Sequence, residues 1–234
     1  MAPWRARMFR DRAEAGRMLA SRLKDFKGQN PVVLALPRGG VPVGYEIAVA
    51  LRATLDVIVA RKLGAPGDPE LAIGAVVGAD EPETVLNEEL ISCLGVEPEY
   101  LAREIASQLK EIRRREAIYR GGRRPAALAG RTAIVVDDGV ATGASIRAAL
   151  RGVRRRGAQS VVLAVPVAPP EVAASLAADA QAVIILLQPE PFMSVGSHYE
   201  DFAQTPDEEV MRLLEAAAMQ VKGPAARPIR SHGP

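Results

Sequence analysis

Four short runs constrain this chain most: PVVLA at 31–35, TAIVV at 132–136, SVVLAVPV at 160–167 and AVIILL at 182–187. None alternates apolar with polar residues. Each has to be covered on both sides, which is the condition of a strand inside a parallel sheet. The last three are separated by stretches of helical character, 144–155 and 170–178. Alternation at that spacing brings each strand back parallel to the one before it, through a right-handed crossover. The expected fold is therefore α/β, an open and mainly parallel twisted sheet flanked by helices.

The rest of the chain fills in around that sheet. Residues 9–24 read as an amphipathic helix with Phe9, Ala13, Leu19, Ala20 and Leu23 on one face; Gly16 shares that face and weakens the helix. A helix is expected over 43–51 and a second buried strand over 55–60. Two weaker strands at 71–77 and 84–86, separated by Gly78, Asp80 and Pro82, read as a hairpin. Tyr100, Leu101, Ile105, Leu109 and Ile112 mark a long helix over 98–120. After Pro189 comes a loop-rich segment and then a last helix over 208–221. Residues 1–222 read as one domain with its core at about 30–190, and residues 223–234 are expected to lack order.

Composition narrows the function classes. Aromatic residues are 4% of the chain, so Val, Leu, Ile and Ala must build the core. The single cysteine, Cys93, excludes a disulfide framework or a cysteine zinc cage and fits a reducing compartment. The longest uncharged stretch, from Gly157 to Pro170, is too short to span a bilayer. The first residues lack the apolar core of a signal peptide, so a cytoplasmic protein without a membrane partner is expected. Of 30 basic residues 25 are Arg, but they are dispersed, and Glu104, Glu111 and Glu116 interleave the run at Arg113–Arg115. That pattern describes solvated helix faces and argues against a nucleic-acid stripe.

Chemistry concentrates at Thr132 to Ser145, TAIVVDDGVATGAS. A buried strand ends in two adjacent carboxylates, Asp137 and Asp138, and a small-residue loop then opens a helix. Ligands of open α/β sheets collect beyond the carboxyl ends of the strands. The loop from Ala141 through Thr142, Gly143 and Ala144 to Ser145 leads into the positive end of a helix, which suits a phosphomonoester. Carboxylates beside a phosphate are tolerated where they accept hydrogen bonds from hydroxyls or face a cation, and a sugar phosphate with a vicinal diol meets both conditions. A second loop, LPRGG, ends the first strand with Arg38, Gly39 and Gly40, a guanidinium fork beside backbone open to an anion.

In VVDDGVATGAS and LPRGGVPVG the chain resembles the type I phosphoribosyltransferases over roughly residues 30 to 190. The resemblance implies that Asp137 and Asp138 hold the ribose hydroxyls of phosphoribosyl pyrophosphate. Ala141, Thr142, Gly143, Ala144 and Ser145 would hold its 5′-phosphate. Arg38, Gly39, Gly40, Arg61 and Lys62 would hold pyrophosphate, with Asp137, Asp138, Arg38 and Lys62 as the catalytic set. The peptide bond entering Arg38 is cis in many members. Magnesium would be held mainly by substrate and water, with Asp137 and Asp138 as the protein groups beside it. The stretch GAPGDPELAIGAV becomes a flexible hairpin lid. A hood at about 190–206, completed by the terminal helices, would carry the acceptor on Phe192, Val195, Tyr199 and Asp201, with Phe202 beside them. An aromatic there can stack on a flat ring, or Phe192, Tyr199 and Phe202 can simply close a small core. His198 reads as an exposed loop residue. Members of the family commonly pair as homodimers.

One departure limits the resemblance. Ala141 stands where the 6-oxopurine branch carries an Asp before Thr-Gly, so the acceptor base and the proton-transfer group are not readable. The implied reaction is transfer of the phosphoribosyl group to a nitrogenous base with release of pyrophosphate. A regulator that binds phosphoribosyl pyrophosphate without turnover, and a phosphosugar hydrolase, are the alternatives.

Overall fold

The computed structural model describes residues 8–79 and 81–221. The expectations for the first residues, the tail at 223–234 and the turn residue Asp80 lie outside the described residues.

Five strands form the parallel sheet: β1 (Val32–Ala35), β2 (Thr54–Val57), β6 (Thr132–Val136), β7 (Ser160–Val167) and β8 (Ala182–Leu187), in the order β2-β1-β6-β7-β8. All four apolar runs are strands of it. β1 is connected to β2 through α2 (Gly40–Leu51), while β6 runs to β7 and β8 through α5 (Ala144–Arg155) and α6 (Pro170–Leu176). The chain thus leaves β1 in one direction and β6 in the other, and the two are neighbours at the centre. A topological switch point opens a crevice at the carboxyl ends of its two central strands. The register is level there: Ala35 pairs with Val136, and the Leu36 amide donates to the Val136 carbonyl at 2.8 Å.

Each sheet face packs its own core. Val33, Ala35, Ile134 and Val136 point toward α1 (Arg12–Arg22), α2 and α7 (Asp207–Val221). Val32, Leu34, Ala133 and Val135 point toward α5 and α6. All of β1 and the run from Ala133 to Val136 in β6 are buried and aliphatic, as the low aromatic content requires.

Residues 60–86 build more than a loop and hairpin. β3 (Ala60–Ala65), β4 (Asp68–Val77) and β5 (Glu83–Leu86) form a separate three-stranded antiparallel sheet. The buried strand expected over 55–60 is therefore split: Thr54–Val57 joins the large sheet and Ala60 opens the small one. Ile73, Ala75, Val76 and Val77 are fully buried, while the turn and its flanks, 66–71, stand exposed, as do Lys62, Glu81 and Pro82. α3 (Glu88–Leu94), absent from the sequence reading, follows β5, with Asn87 accepting the Leu90 amide as its cap. α4 (Pro98–Arg120) then runs 23 residues with the expected bounds.

α1 is shorter than the reading of 9–24. Asp11 caps it by accepting the Glu14 amide, so Phe9 lies before the helix. The Phe9 amide donates to the His198 carbonyl and the Glu200 amide to the Phe9 carbonyl, both at 2.8 Å. Gly16 has a packing purpose: a Cβ there would sit 2.7 Å from the Val43 carbonyl, so its absence lets α1 lie directly on α2.

Several of the arginines are paired with carboxylates in place. Arg114 and Arg115 pair with Glu111, Arg147 and Arg151 with Asp179, Arg155 with Glu83, and Arg212 with Glu209. Arg120 is buried between Asp56 and Glu116 at 3.0 and 2.6 Å. No helix among the described residues is long and apolar enough to cross a membrane.

Candidate active site

At the switch point the loops after β1 and β6 lie against each other. The Pro37–Arg38 peptide bond is cis. Gly39 and Gly40 follow, and their lack of side chains serves the acidic pair directly. A Cβ at Gly39 would overlap the Asp138 carboxylate, and one at Gly40 would lie 2.8 Å from the Val136 carbonyl and 2.9 Å from Asp137 Cα. The two loops can meet only if both residues are glycine.

The acidic residues are partly buried and differently tied. Asp137 Oδ1 accepts the backbone amide of Asp138 at 2.8 Å. Asp138 Oδ2 accepts Nε of Arg12 at 2.8 Å. Among the described residues no other side chain or amide donates to Asp137 Oδ2 or Asp138 Oδ1, and the two carboxyls lie within reach of each other. Burial, with the neighbouring Asp138 charge adding to it, pushes the Asp137 carboxyl well above its ordinary range. Burial also raises Asp138, and the Arg12 guanidinium opposes that rise.

Beyond the pair, Gly143 at φ 82° makes the turn into α5. The first amides of a helix have no partner within it, and the macrodipole places positive charge there. Thr142 is exposed and Ser145 half-buried at this end. Thr142 and Ala144 share a cavity of about 620 Å³ with Lys62, which reaches it from β3. Arg61, the other half of the expected basic pair, turns away: its Nε donates to Gln108 of α4 at 2.9 Å. Arg38 lies with Nη1 3.7 Å from Asp207, which also accepts the Tyr119 hydroxyl at 2.7 Å.

The hood residues separate into two kinds. Tyr199 is 3% exposed, packs on Phe9 with ring centroids 5.3 Å apart, and donates its hydroxyl to the Asp138 carbonyl at 2.6 Å. It closes a small core, the second of the two roles open to it from sequence. Val195 packs where a side chain on Gly139 would stand. Phe192 stacks on His198 at 5.8 Å. His198 is buried, contrary to its reading as an exposed loop residue, because its backbone is stitched to the segment before α1. Asp201 is exposed and accepts the Ala203 amide. Phe202 is 36% exposed and lies with its ring 3.9 Å from the Arg12 guanidinium.

Sequence reasoning missed Arg12 and Asp207. Neither lies in a motif. Arg12 is 126 residues from its partner, and only the packing of α1 on α2 brings it there.

Comparison with known proteins agrees with this geometry. The family model described as "Phosphoribosyl transferase domain" matches residues 10–186. Two Mycobacterium tuberculosis relatives, from strains CDC 1551 and H37Rv, carry phosphoribosyl transferase names. Each is 44% identical over 211 residues, covering 90% of this chain and 47% of the relative. The chain thus spans about half the length of the curated relatives it matches. The crystal structure of TT1426 from Thermus thermophilus is 47% identical, with a TM-score of 0.76, and the match covers 88% of this chain and 97% of that one. The match to the family model takes in both loops of the switch point and the small sheet beside them, and the chain belongs to the phosphoribosyl transferase domain family.

Proposed function

We propose that this domain is a phosphoribosyltransferase that takes phosphoribosyl pyrophosphate with Mg²⁺ and transfers its phosphoribosyl group to a nitrogenous acceptor. The observation that carries this reading is the meeting of Arg38–Gly40 with Asp137 and Asp138 at the β1/β6 switch point, beside the amino end of α5. The carboxylates of Asp137 and Asp138 accept the two ribose hydroxyls. The loop from Ala141 to Ser145 receives the 5′-phosphate on backbone amides and the Thr142 and Ser145 hydroxyls. Arg38, Lys62 and the Gly39 amide take the pyrophosphate; the Gly40 amide already donates to the Leu36 carbonyl at 3.0 Å, and Arg61, engaged with Gln108, supports the small sheet instead.

In the reaction the bond from the anomeric carbon to the pyrophosphate oxygen breaks, its electron pair leaving with pyrophosphate. A nitrogen lone pair of the acceptor forms the new bond. Positive charge develops on the ribose ring in between, and catalysis rests on a rigidly held donor and stabilised departing charge. Two carboxylate oxygens are the hard donors Mg²⁺ accepts. Among the described residues no group of three or more His, Cys, Asp or Glu could hold a metal ion, so donor oxygens and water would supply most of its shell, with Asp137 and Asp138 adjoining. When bound, Mg²⁺ supplies Lewis-acid polarisation of the leaving group. Phe202 and Phe192 are the hood surfaces on which a flat acceptor could lie; Tyr199 is spent on the core. The reading carries with it a reducing, cytoplasmic setting and a homodimer.

The test is calorimetry of phosphoribosyl pyrophosphate with Mg²⁺, followed by pyrophosphate release across a panel of nitrogenous bases. Magnesium-dependent binding with release on one base class is the expected result. Binding without release on any base would favour the regulator, and no binding would overturn the reading.

A further inference from the structure

Arg12 joins three things that are far apart in sequence. Its Nε donates to Asp138 Oδ2 at 2.8 Å, its Nη1 donates to the Ala203 carbonyl at 2.7 Å, and its guanidinium lies against the Phe202 ring at 3.9 Å. The Arg12 and Asp138 side chains are 11% and 15% exposed, so this is not a solvated surface pair. An arginine so held has a charge-assisted bond, a neutral bond and a cation–π contact fixing one rotamer. Around it the chain is stitched further. The segment before α1 exchanges backbone bonds with His198, Glu200 and, through Arg10, Asp201, while Tyr199 bonds the Asp138 carbonyl. The hood is therefore anchored to Asp138 twice, at its backbone by Tyr199 and at its carboxylate by Arg12.

We propose that Arg12 is a positioning residue that couples the hood to the acidic pair, fixing the Asp138 carboxylate in the orientation the ribose diol needs and pinning residues 199–203 beside it. With Oδ2 held by Arg12, rotation of the Asp138 carboxylate is restricted and the carboxylate stays beside Asp137. Asp137 is fixed in the same way by the Asp138 amide. The two carboxylates are thus held as a pair before ligand arrives. The first part of this inference rests on the donor-site reading above. The second, the coupling of hood to Asp138, does not.

The experiment has two arms on the full chain. In the first, phosphoribosyl pyrophosphate with Mg²⁺ is titrated into wild type, Arg12→Gln, Arg12→Lys, Asp138→Asn and Arg12→Gln/Asp138→Asn. Arg12→Gln should lose about tenfold or more in donor affinity, the scale of one charge-assisted hydrogen bond. Arg12→Lys should recover part of it. In the Asp138→Asn background Arg12→Gln should add little, because the two residues act as a unit. Equal losses in both backgrounds, or an Arg12→Gln protein that binds as wild type, would overturn the positioning role. In the second arm, without ligand, amide exchange of residues 198–203 should quicken in both Arg12→Gln and Asp138→Asn while exchange in β6 and β7 stays slow. If wild type fails to bind the donor, the functional reading falls and this arm decides alone. Unchanged hood exchange in both variants overturns the coupling; protection lost throughout the chain reports general destabilisation and also overturns it. Phe202→Leu gives a milder variant of the same arm, expected to quicken the same amides to a smaller extent.

Discussion

Tyr199 donates its hydroxyl to the backbone carbonyl of Asp138 at 2.6 Å, across 61 residues of sequence. The bond joins the hood to the acidic pair that follows β6, and burial of the ring pushes the phenol's ionisation far out of reach of neutral pH. Tyr199→Phe keeps the ring against Phe9 and leaves the carbonyl without its donor. The expected loss is about 1–3 kcal/mol of stability, the cost of a buried acceptor left unpaired. Chemical denaturation of the two proteins measures it, and equal midpoints would show that the bond contributes nothing.

His198 gives the fold a pH dependence. Burial lowers its pKa below the ordinary 6.5, and Nε2 has no partner among the described residues. The native state then binds fewer protons than the unfolded chain, so stability is intact above the unfolded pKa and falls as pH drops through it. His198→Phe, which keeps a ring for Phe192 to stack on, should flatten the fall in melting temperature below about pH 6.5. An unchanged slope would place the acid sensitivity elsewhere.

Asp56 lies on the edge strand β2, level with Leu34 of β1 and Val135 of β6, and accepts Arg120 at 3.0 Å, the Val57 amide at 2.7 Å and the Ala126 amide at 2.8 Å. Arg120 also donates to Glu116 and to the Val57 carbonyl. Removing one member of such a buried set strands the others, a loss of about 3–5 kcal/mol. Asp56→Ala should show it in thermal melting, while donor affinity, measured at a temperature where the variant is folded, should stay that of wild type.

Gly16→Ala tests a place where propensity and packing disagree. In an exposed helix the change would add about 1 kcal/mol of stability. Here the new methyl would meet the Val43 carbonyl at 2.7 Å, a backbone atom that cannot swing aside. The variant should be less stable than wild type and, because α1 carries Arg12, weaker in donor binding. A more stable variant would contradict the close packing of α1 on α2.

The parallel sheet was legible because its strands are aliphatic without alternation, a pattern with few other solutions. The acidic pair and the small loop were legible because strand, carboxylates and helix start are contiguous. What the sequence could not disclose depends on contacts between distant segments. Gly16 reads as a weak helix position until α2 lies beneath it. Gly39 reads as an anion-binding glycine, yet the nearest group to its missing side chain is the Asp138 carboxylate. Arg61 and Lys62 read as a pair, but adjacent residues of a strand point to opposite faces, so only one can reach the cavity. His198 reads as a loop residue because its burial comes from backbone bonds to Phe9, which carry no side-chain signature.

The acidic pair carries the account. Asp137 and Asp138 are held beside one another against burial, so the folded chain gains stability when one charge is removed. For carboxylates whose pKa is raised on folding, the native state binds more protons than the unfolded chain, and stability falls as pH rises through the raised value. Asp137→Asn should therefore melt at or above the wild-type temperature at neutral pH while losing the donor, a combination that general damage does not produce.

The most direct measurement is thermal melting of wild type and Asp137→Ala/Asp138→Ala with and without phosphoribosyl pyrophosphate and Mg²⁺. A ligand at about a hundred times its dissociation constant adds about 2.7 kcal/mol of stability, which is readily seen. A magnesium-dependent rise in the wild type that disappears in the double variant is the predicted result. An equal rise in both proteins, or none in the wild type at millimolar ligand, would contradict the assignment of the donor site to Asp137 and Asp138.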